Sequence, residues 1–186
     1  MIEVEVRVRV KDFKFIREWI EKNGGKFLRT ENQEDIVFGH DSFLDKNKMV
    51  VDGGFIARIR SVDGNILLEF KEIRRISGGV EISANLSNKE HGILLLEKLN
   101  FKEAFTVSKK REVYSYCDFL ICFDEVGELG NFVEIEKCVG DKSEKEKARD
   151  DCISLLNKID KNLIIENKKY GDLIQEKKNE TAKSDT

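Results

Sequence analysis

The first ten residues alternate between apolar and charged side chains with a period of two. Ile2, Val4, Val6, Val8 and Val10 share one parity, and the positions between them are all Glu or Arg. A period of two is the signature of a β-strand, because successive side chains point to opposite faces of a sheet. We therefore predict a strand over residues 2–10 with one buried face.

Shorter β-like segments follow along the chain, and turn residues such as the pair Gly53-Gly54 separate several of them. They cover residues 33–38, 55–61, 66–73, 79–86, 104–116, 118–125 and 131–139. With the first strand they make eight. Eight mostly antiparallel strands with few helices favour a barrel or a sandwich.

Three helices are predicted beside the strands. The first follows Asp12 as its N-cap and ends at a glycine pair, and the second opens at a capping-box pattern of Ser87 and Glu90 and runs through Leu99. The third covers about 142–160 and keeps its apolar residues on one face. The sequence therefore predicts an α+β protein that is mainly β.

Residues 175–186 are polar and rich in Lys, Glu, Ser and Thr, so we predict a disordered tail after a single domain over 1–174. The net charge of −3 gives no support for a nucleic-acid partner. No apolar run reaches the roughly 18 residues that span a bilayer, and no signal peptide precedes the first strand. We therefore expect a cytoplasmic protein without a membrane partner.

Charged residues occupy the polar parity of several predicted strands. They are Glu3, Glu5, Arg7, Arg9, Arg58, Arg60, Glu69, Lys71, Glu81, Lys109, Arg111, Asp124, Glu134 and Glu136. If all of them face one lumen, it holds seven bases and seven acids. Such a lumen needs water, mutual pairing or a charged ligand, because unpaired buried charges are costly. The alternation by itself favours a simpler alternative, a sandwich whose charged faces meet water.

Charge arithmetic indicates which ligand would suit a charged lumen. Two divalent cations held by carboxylates would add four positive charges, about the charge of a nucleoside triphosphate. Carboxylate oxygens select Mg²⁺ or Mn²⁺, and guanidinium groups bind phosphate oxygens in a bidentate manner.

Residues 3–7, with the sequence EVEVR, resemble the ExExK signature of the CYTH superfamily, the triphosphate tunnel metalloenzymes. The most specific similarity is the block over residues 122–136, which resembles a family pattern ending in two glutamates. Further similarity lies at residues 33–38, 57–60, 68–71, 81, 107–111 and 170–174. The resemblance covers nearly the whole chain except the polar tail.

The resemblance implies a closed eight-stranded antiparallel β-barrel with helices packed outside, and a metal-dependent site in its lumen. The implied ligands of Mg²⁺ or Mn²⁺ are Glu3, Glu5, Glu134 and Glu136. The implied phosphate-binding residues are Arg9, Arg58, Arg60, Lys71, Lys109 and Arg111. Arg7 and Asp124 are assigned catalytic positions, with Glu69, Glu81 and Tyr170 in support.

Two departures from the family pattern affect the expected chemistry. Arg7 stands where the signature has Lys, and a guanidinium cannot release a proton at working pH. Residues 39–52 do not follow the usual loop, so the group beyond the phosphates stays open.

The first functional hypothesis is a class IV adenylyl cyclase-like enzyme that converts ATP to cyclic AMP and pyrophosphate. The second is a triphosphatase that hydrolyses inorganic, thiamine or nucleoside triphosphate. A non-catalytic module that binds polyphosphate or nucleotide is the third. A second copy of the chain, as a homodimer, is a further candidate partner.

Overall fold

The computed structural model describes residues 2–46, 50–74 and 80–184. Eight strands are present there: β1 Ile2–Val10, β2 Lys26–Gly39, β3 Phe55–Val62, β4 Asn65–Glu72, β5 Glu81–Leu86, β6 Lys102–Tyr116, β7 Phe119–Val126 and β8 Gly130–Val139. The helices are α1 Lys14–Lys22, α2 Lys89–Lys98, α3 Lys145–Ile159 and α4 Tyr170–Ser184. The predicted mainly β composition is confirmed, and the start of the segment predicted over 79–86 lies outside the described residues.

All eight strands form one antiparallel sheet in the order β1-β8-β7-β6-β2-β3-β4-β5. No ladder joins the end strands β1 and β5 in residues 2–46, 50–74 and 80–184, so the closed barrel is not confirmed. The sheet nevertheless curls, which brings Lys71 on β4 close enough to Glu3 and Glu5 on β1 for its positive charge to act to lower the pKa of both carboxylates. Glu81 on β5 also acts on Glu3, and repulsion between these two carboxylates disfavours a closer approach of the edges.

The apolar parity of the strands packs against helices on the convex face of the curled sheet. Helices α1 and α3 cover β1 and β6 to β8, where Ile20 and Leu156 meet Ile121 and Ile135. A smaller cluster lies under α2, which packs Leu96 on β3 and β2. The helices therefore leave the charged parity on the opposite, concave face.

Several element boundaries differ from the sequence prediction, and the predicted Asp12 N-cap is wrong, because Phe13 occupies the N-cap position of α1. Strand β2 has 14 residues, because its first half also pairs with β6, although residues 26–32 show no clear alternation. The second helix is capped by Asn88, whose side chain accepts a hydrogen bond from the His91 backbone at 2.7 Å. The predicted Ser87 cap is therefore wrong by one position, since Asn and Ser cap equally well.

The segment from residue 175, expected to be a disordered tail, continues helix α4 to Ser184. Its composition explains the difference, because Lys, Glu, Gln and Ala all favour a helix and no Gly or Pro follows Gly171. The first turn of α4 also has a tertiary anchor. Leu173 packs on Val107, Val126 and Phe132.

Helix α4 lies on the same face of the sheet as the charged side chains. Its contact residues Val107 and Phe132 share the strand parity of Lys109 and Glu134. The approach is close, because a Cβ atom on Gly171 would come within 2.6 Å of the Phe105 ring. Helix α4 therefore covers one end of the concave face. No helix among the described residues, α4 included, has the length and hydropathy needed to cross a membrane.

The packing of the convex core yields a stability prediction. Ile135→Ala should reduce the free energy of unfolding by about 3–4 kcal/mol, because the side chain is fully buried and truncation leaves a cavity. Ile164→Ala is the matched control, since Ile164 is 83% exposed. Urea denaturation of both variants checks the prediction, and equal losses in the two would contradict this placement of the core.

Candidate functional site

Three carboxylates meet where β1 lies beside β8. Ligand oxygens of Glu3, Glu5 and Glu136 all lie within 4.8 Å of one another, and Glu5 is the register partner of Glu136. Alternation brings Glu3 and Glu5 to one face of β1 and so makes the cluster. The fourth predicted metal ligand, Glu134, is not in this cluster and instead binds the guanidinium groups of Arg7 and Arg111.

The electrostatics of the cluster suit a divalent cation. Burial, together with the charges of Glu134, Glu3 and Glu5, raises the pKa of Glu136 to about 7 despite the opposing charge of Arg111. Burial and the charge of Glu5 raise the pKa of Glu3 as well. Crowded carboxylates that resist ionisation are relieved by a hard cation with oxygen preference, so these residues fit Mg²⁺ or Mn²⁺.

Arg111 is the centre of the ion pairs beside the cluster. It donates two hydrogen bonds to Asp124, at 2.6 and 2.7 Å, and one to Glu136 at 2.9 Å. The Asp124 side chain is fully buried and also accepts from Lys109 at 2.9 Å. These contacts join the predicted phosphate-binding side chains of β6 to the carboxylates of β7 and β8.

A second group of charges lies on β2 to β5. Its centre is Asp35, which was not among the predicted site residues. Arg60 donates to both oxygens of Asp35, at 2.7 and 2.8 Å, and Arg58 donates to Asp35 at 3.2 Å. Arg58 also pairs with Glu69. Lys71 and Glu81, the last predicted members on these strands, pair with each other at 2.8 Å.

The signal for Asp35 was its place within residues 33–38, already similar to the family's second strand. Gln33, two residues earlier on the same face, was missed too. Its amide donates to Glu31, while its buried carbonyl oxygen has no partner in the described part of the chain.

Arg7 is buried beneath the segment that leads into α4. Its guanidinium binds Glu134, donates to the carbonyl of Lys168 at 3.1 Å, and lies 3.9 Å from the ring centroid of Tyr170. Burial opposes the charged form, but Glu134 and Glu5 outweigh it and raise the pKa of Arg7. Arg7 therefore stays cationic and cannot release a proton to another group at working pH.

Tyr170 and Arg9 take different places at the covered end. The Tyr170 hydroxyl donates to Asp124 at 3.0 Å, which joins α4 to the ion-pair network. Arg9 is exposed on β1, and its guanidinium carbon lies 5.1 Å from the Phe132 ring centroid. The structure therefore brings together the predicted site residues other than Arg9, which lies at the rim.

Comparison with known proteins shows the family to which the chain belongs. The CYTH domain family model matches residues 1–166, so the chain belongs to the CYTH family. A relative from Methanocaldococcus jannaschii, named "Putative adenylate cyclase MJ0240", is 35% identical over 178 residues, which are 93% of this chain and 98% of that protein.

Solved structures share the fold. The PH1819 protein of Pyrococcus horikoshii matches with a TM-score of 0.78 and 29% identity, covering 94% of this chain and 99% of that one. A protein from Hippeastrum, HpAC1, matches with a TM-score of 0.62 and 16% identity over 90% of each chain. HpAC1 is an adenylyl cyclase candidate with a dominant triphosphatase activity.

The Asp35 contacts yield a prediction for stability. Asp35→Asn should lower the free energy of unfolding at neutral pH by about 3 kcal/mol, because it leaves two mostly buried guanidinium groups short of a carboxylate. Glu34→Gln, on the same strand, is the control. Its carboxylate is 49% exposed and pairs only with Lys89 among the contacts seen, so its loss should cost under about 1 kcal/mol.

Its pairing with Arg58 and Arg60 should make the contribution of Asp35 to the free energy of unfolding depend on pH. Burial would raise the pKa of Asp35, but the hydrogen bond from Arg60 and the charges of Arg58 and Arg60 lower it. Because the pKa of Asp35 is lower in the folded state, its carboxylate stabilises the protein at pH values above its pKa in the unfolded state, about 3.9. This contribution is lost as the pH falls through the pKa of the folded state. The difference between wild type and Asp35→Asn should therefore shrink in acid. A difference that stays constant from pH 7 to pH 2 would contradict the pairing.

Proposed function

We propose that the protein is a metal-dependent enzyme acting on triphosphates, with cyclisation of ATP to cyclic AMP and pyrophosphate as its first candidate reaction. The observation that carries this proposal is the contact between a three-carboxylate cluster and a row of guanidinium groups on one concave face. A pure anion-binding site would gain nothing from the acids. The name of the Methanocaldococcus jannaschii relative supports the cyclase reaction.

Glu3, Glu5 and Glu136 would hold Mg²⁺ or Mn²⁺. The cation supplies neutralisation of phosphate charge and alignment of the attacking oxygen. Glu134 is already held between Arg7 and Arg111, so its proposed role is to fix those guanidinium groups. This arrangement assigns the metal to one side of the concave face and leaves the Arg and Lys side chains to bind the phosphates.

Arg58, Arg60, Lys71 and Arg111 would bind the phosphate chain. Their side chains are 12–27% exposed, so phosphate oxygens can reach them, and each of them is already oriented by a carboxylate. Guanidinium groups positioned before the reaction stabilise the charge that develops on the leaving pyrophosphate. Lys109 is more enclosed and would act mainly by holding Asp124.

The attacking oxygen distinguishes the two candidate reactions. In a cyclase, the ribose 3′-oxygen forms a bond to the α-phosphorus, its proton leaves, and the bond to the pyrophosphate oxygen breaks. In a triphosphatase, water forms a bond to the terminal phosphorus, its proton leaves, and the bond to the bridging oxygen breaks, which yields orthophosphate and a diphosphate. The dominant triphosphatase activity of HpAC1 favours keeping hydrolysis as the second candidate.

Barrel closure belongs to the same proposal. Glu3 and Glu81 repel each other across the open edge, while Lys71 pairs with Glu81 and attracts Glu3. Neutralising these carboxylates in the loaded site would allow β1 and β5 to approach.

Product analysis tests the proposed reaction. Purified protein would be incubated with ATP, and separately with tripolyphosphate, in Mg²⁺ or Mn²⁺. Cyclic AMP and pyrophosphate in equal amounts establish the cyclase, whereas orthophosphate without cyclic AMP establishes the triphosphatase. Binding without any product would reject both enzymes in favour of a binding module.

Removal of one carboxylate should abolish metal-dependent turnover. Glu136→Gln should lower kcat/KM by about 100-fold or more, because an amide is a weak ligand and the cluster loses a charge. Glu125→Gln on the exposed face of β7 is the control and should keep wild-type turnover. Titration of activity with Mn²⁺ compares the variants. Wild-type turnover in Glu136→Gln, or in excess chelator, would contradict the assignment.

A further inference from the structure

The segment over residues 165–169, here called the strap, runs along β1 before α4 begins. Ile165 forms an isolated antiparallel bridge with Val8, and the Glu166 backbone N–H donates to the Arg7 carbonyl at 2.7 Å. The Arg7 guanidinium returns a hydrogen bond to the Lys168 carbonyl at 3.1 Å. The strap is therefore fixed to β1 along its length.

Lys169 lies between two such anchors. Arg7 binds the carbonyl of the preceding residue, and Tyr170 donates to Asp124 at 3.0 Å on the other side. The Lys169 backbone N–H also donates to the Asp172 carboxylate at 3.1 Å. These hydrogen bonds hold the Lys169 backbone in place, so a change of partner requires only a rotation of its side chain.

The Lys169 ammonium reaches the carboxylate cluster and pairs with Glu5. Burial and the charge of Glu134 would raise the pKa of Glu5, but the charges of Lys169, Arg7 and Lys71 lower it to about 2. The Lys169 side chain is 37% exposed and that of Glu5 is 21% exposed, so solvent and ligands have access to this pair. Lys169 was not predicted from the sequence, because the pattern there indicates only a segment that closes the fold.

We propose that Lys169 is a phosphate-binding residue that exchanges partners when the site is loaded, an inference that rests on the proposed function. A dication held by Glu5 would repel an ammonium on the same carboxylate. The flexible four-carbon stem of lysine can move its ammonium to a nearby anion. In the loaded site that anion is an oxygen of the polyphosphate chain, the chemical class bound by the neighbouring guanidinium groups.

This exchange predicts opposite effects on the two ligands. Lys169 competes with the cation for Glu5, so removing the ammonium strengthens cation binding when no phosphate is present. The same change removes a charge-assisted hydrogen bond to phosphate and weakens binding of the polyphosphate. A residue that only anchors the strap would not change the two affinities in opposite directions.

Isothermal titration of the full chain tests the exchange. Lys169→Met should bind Mn²⁺ alone about tenfold more tightly, and tripolyphosphate in saturating Mn²⁺ about tenfold more weakly, than wild type. Lys169→Arg should restore most of the tripolyphosphate affinity because it keeps the charge. Lys168→Met is the matched control on the same strap. Its side chain is 52% exposed and pairs with Glu176, so both affinities should stay at wild-type values.

The titrations distinguish a failure of the Lys169 exchange from a failure of the proposed function. Wild-type protein that binds tripolyphosphate, with Lys169→Met binding both ligands unchanged or both more weakly, would overturn the inference and leave the function standing. Wild-type protein that binds Mn²⁺ but no tripolyphosphate would overturn both. Thermal melting of each variant would verify the fold.

Discussion

Charge buried on the concave face of the sheet must be paired, and this constraint shapes the rest of the structure. Asp124 has no exposed surface, and Glu134 has almost none. Ionised groups at such depth are stable only with opposite charges and hydrogen bonds around them. Arg7 and Arg111 provide both for Glu134, and Arg111 serves Asp124 as well. The pairing keeps the face ordered, while the more exposed charges of β2 to β5 stay accessible to a ligand.

The pairing is uneven, and the unevenness indicates function. Where Glu3 meets Glu136, carboxylates outnumber their partners, and burial together with the neighbouring negative charges raises the pKa values of both groups. Arg58 and Arg60 pair with the buried carboxylates Asp35 and Glu69, and their own side chains stay 14% and 17% exposed. The proposed function assigns a cation to the carboxylate cluster and phosphate oxygens to these guanidinium groups. A metal–triphosphate complex would supply both charges.

Period-two patterning predicted the strands and the inward charges, because each strand presents one apolar face to the helices. It did not predict barrel closure, which depends on how β1 and β5 approach and not on the parity within a strand. Asp35 was missed because charged residues occupy both parities of the predicted strand 33–38, with Glu34 on one face and Asp35 on the other. Lys169 could not be found from the sequence, because its contact with Glu5 joins residues 164 positions apart.

The most direct test of the central claim is a crystal structure with Mn²⁺ and tripolyphosphate, measured with anomalous scattering from the metal. We predict an anomalous peak among the carboxylates of Glu3, Glu5 and Glu136, with phosphate oxygens bound by Arg58, Arg60 and Arg111. A metal bound only at surface carboxylates, or a polyphosphate outside the concave face, would contradict the account.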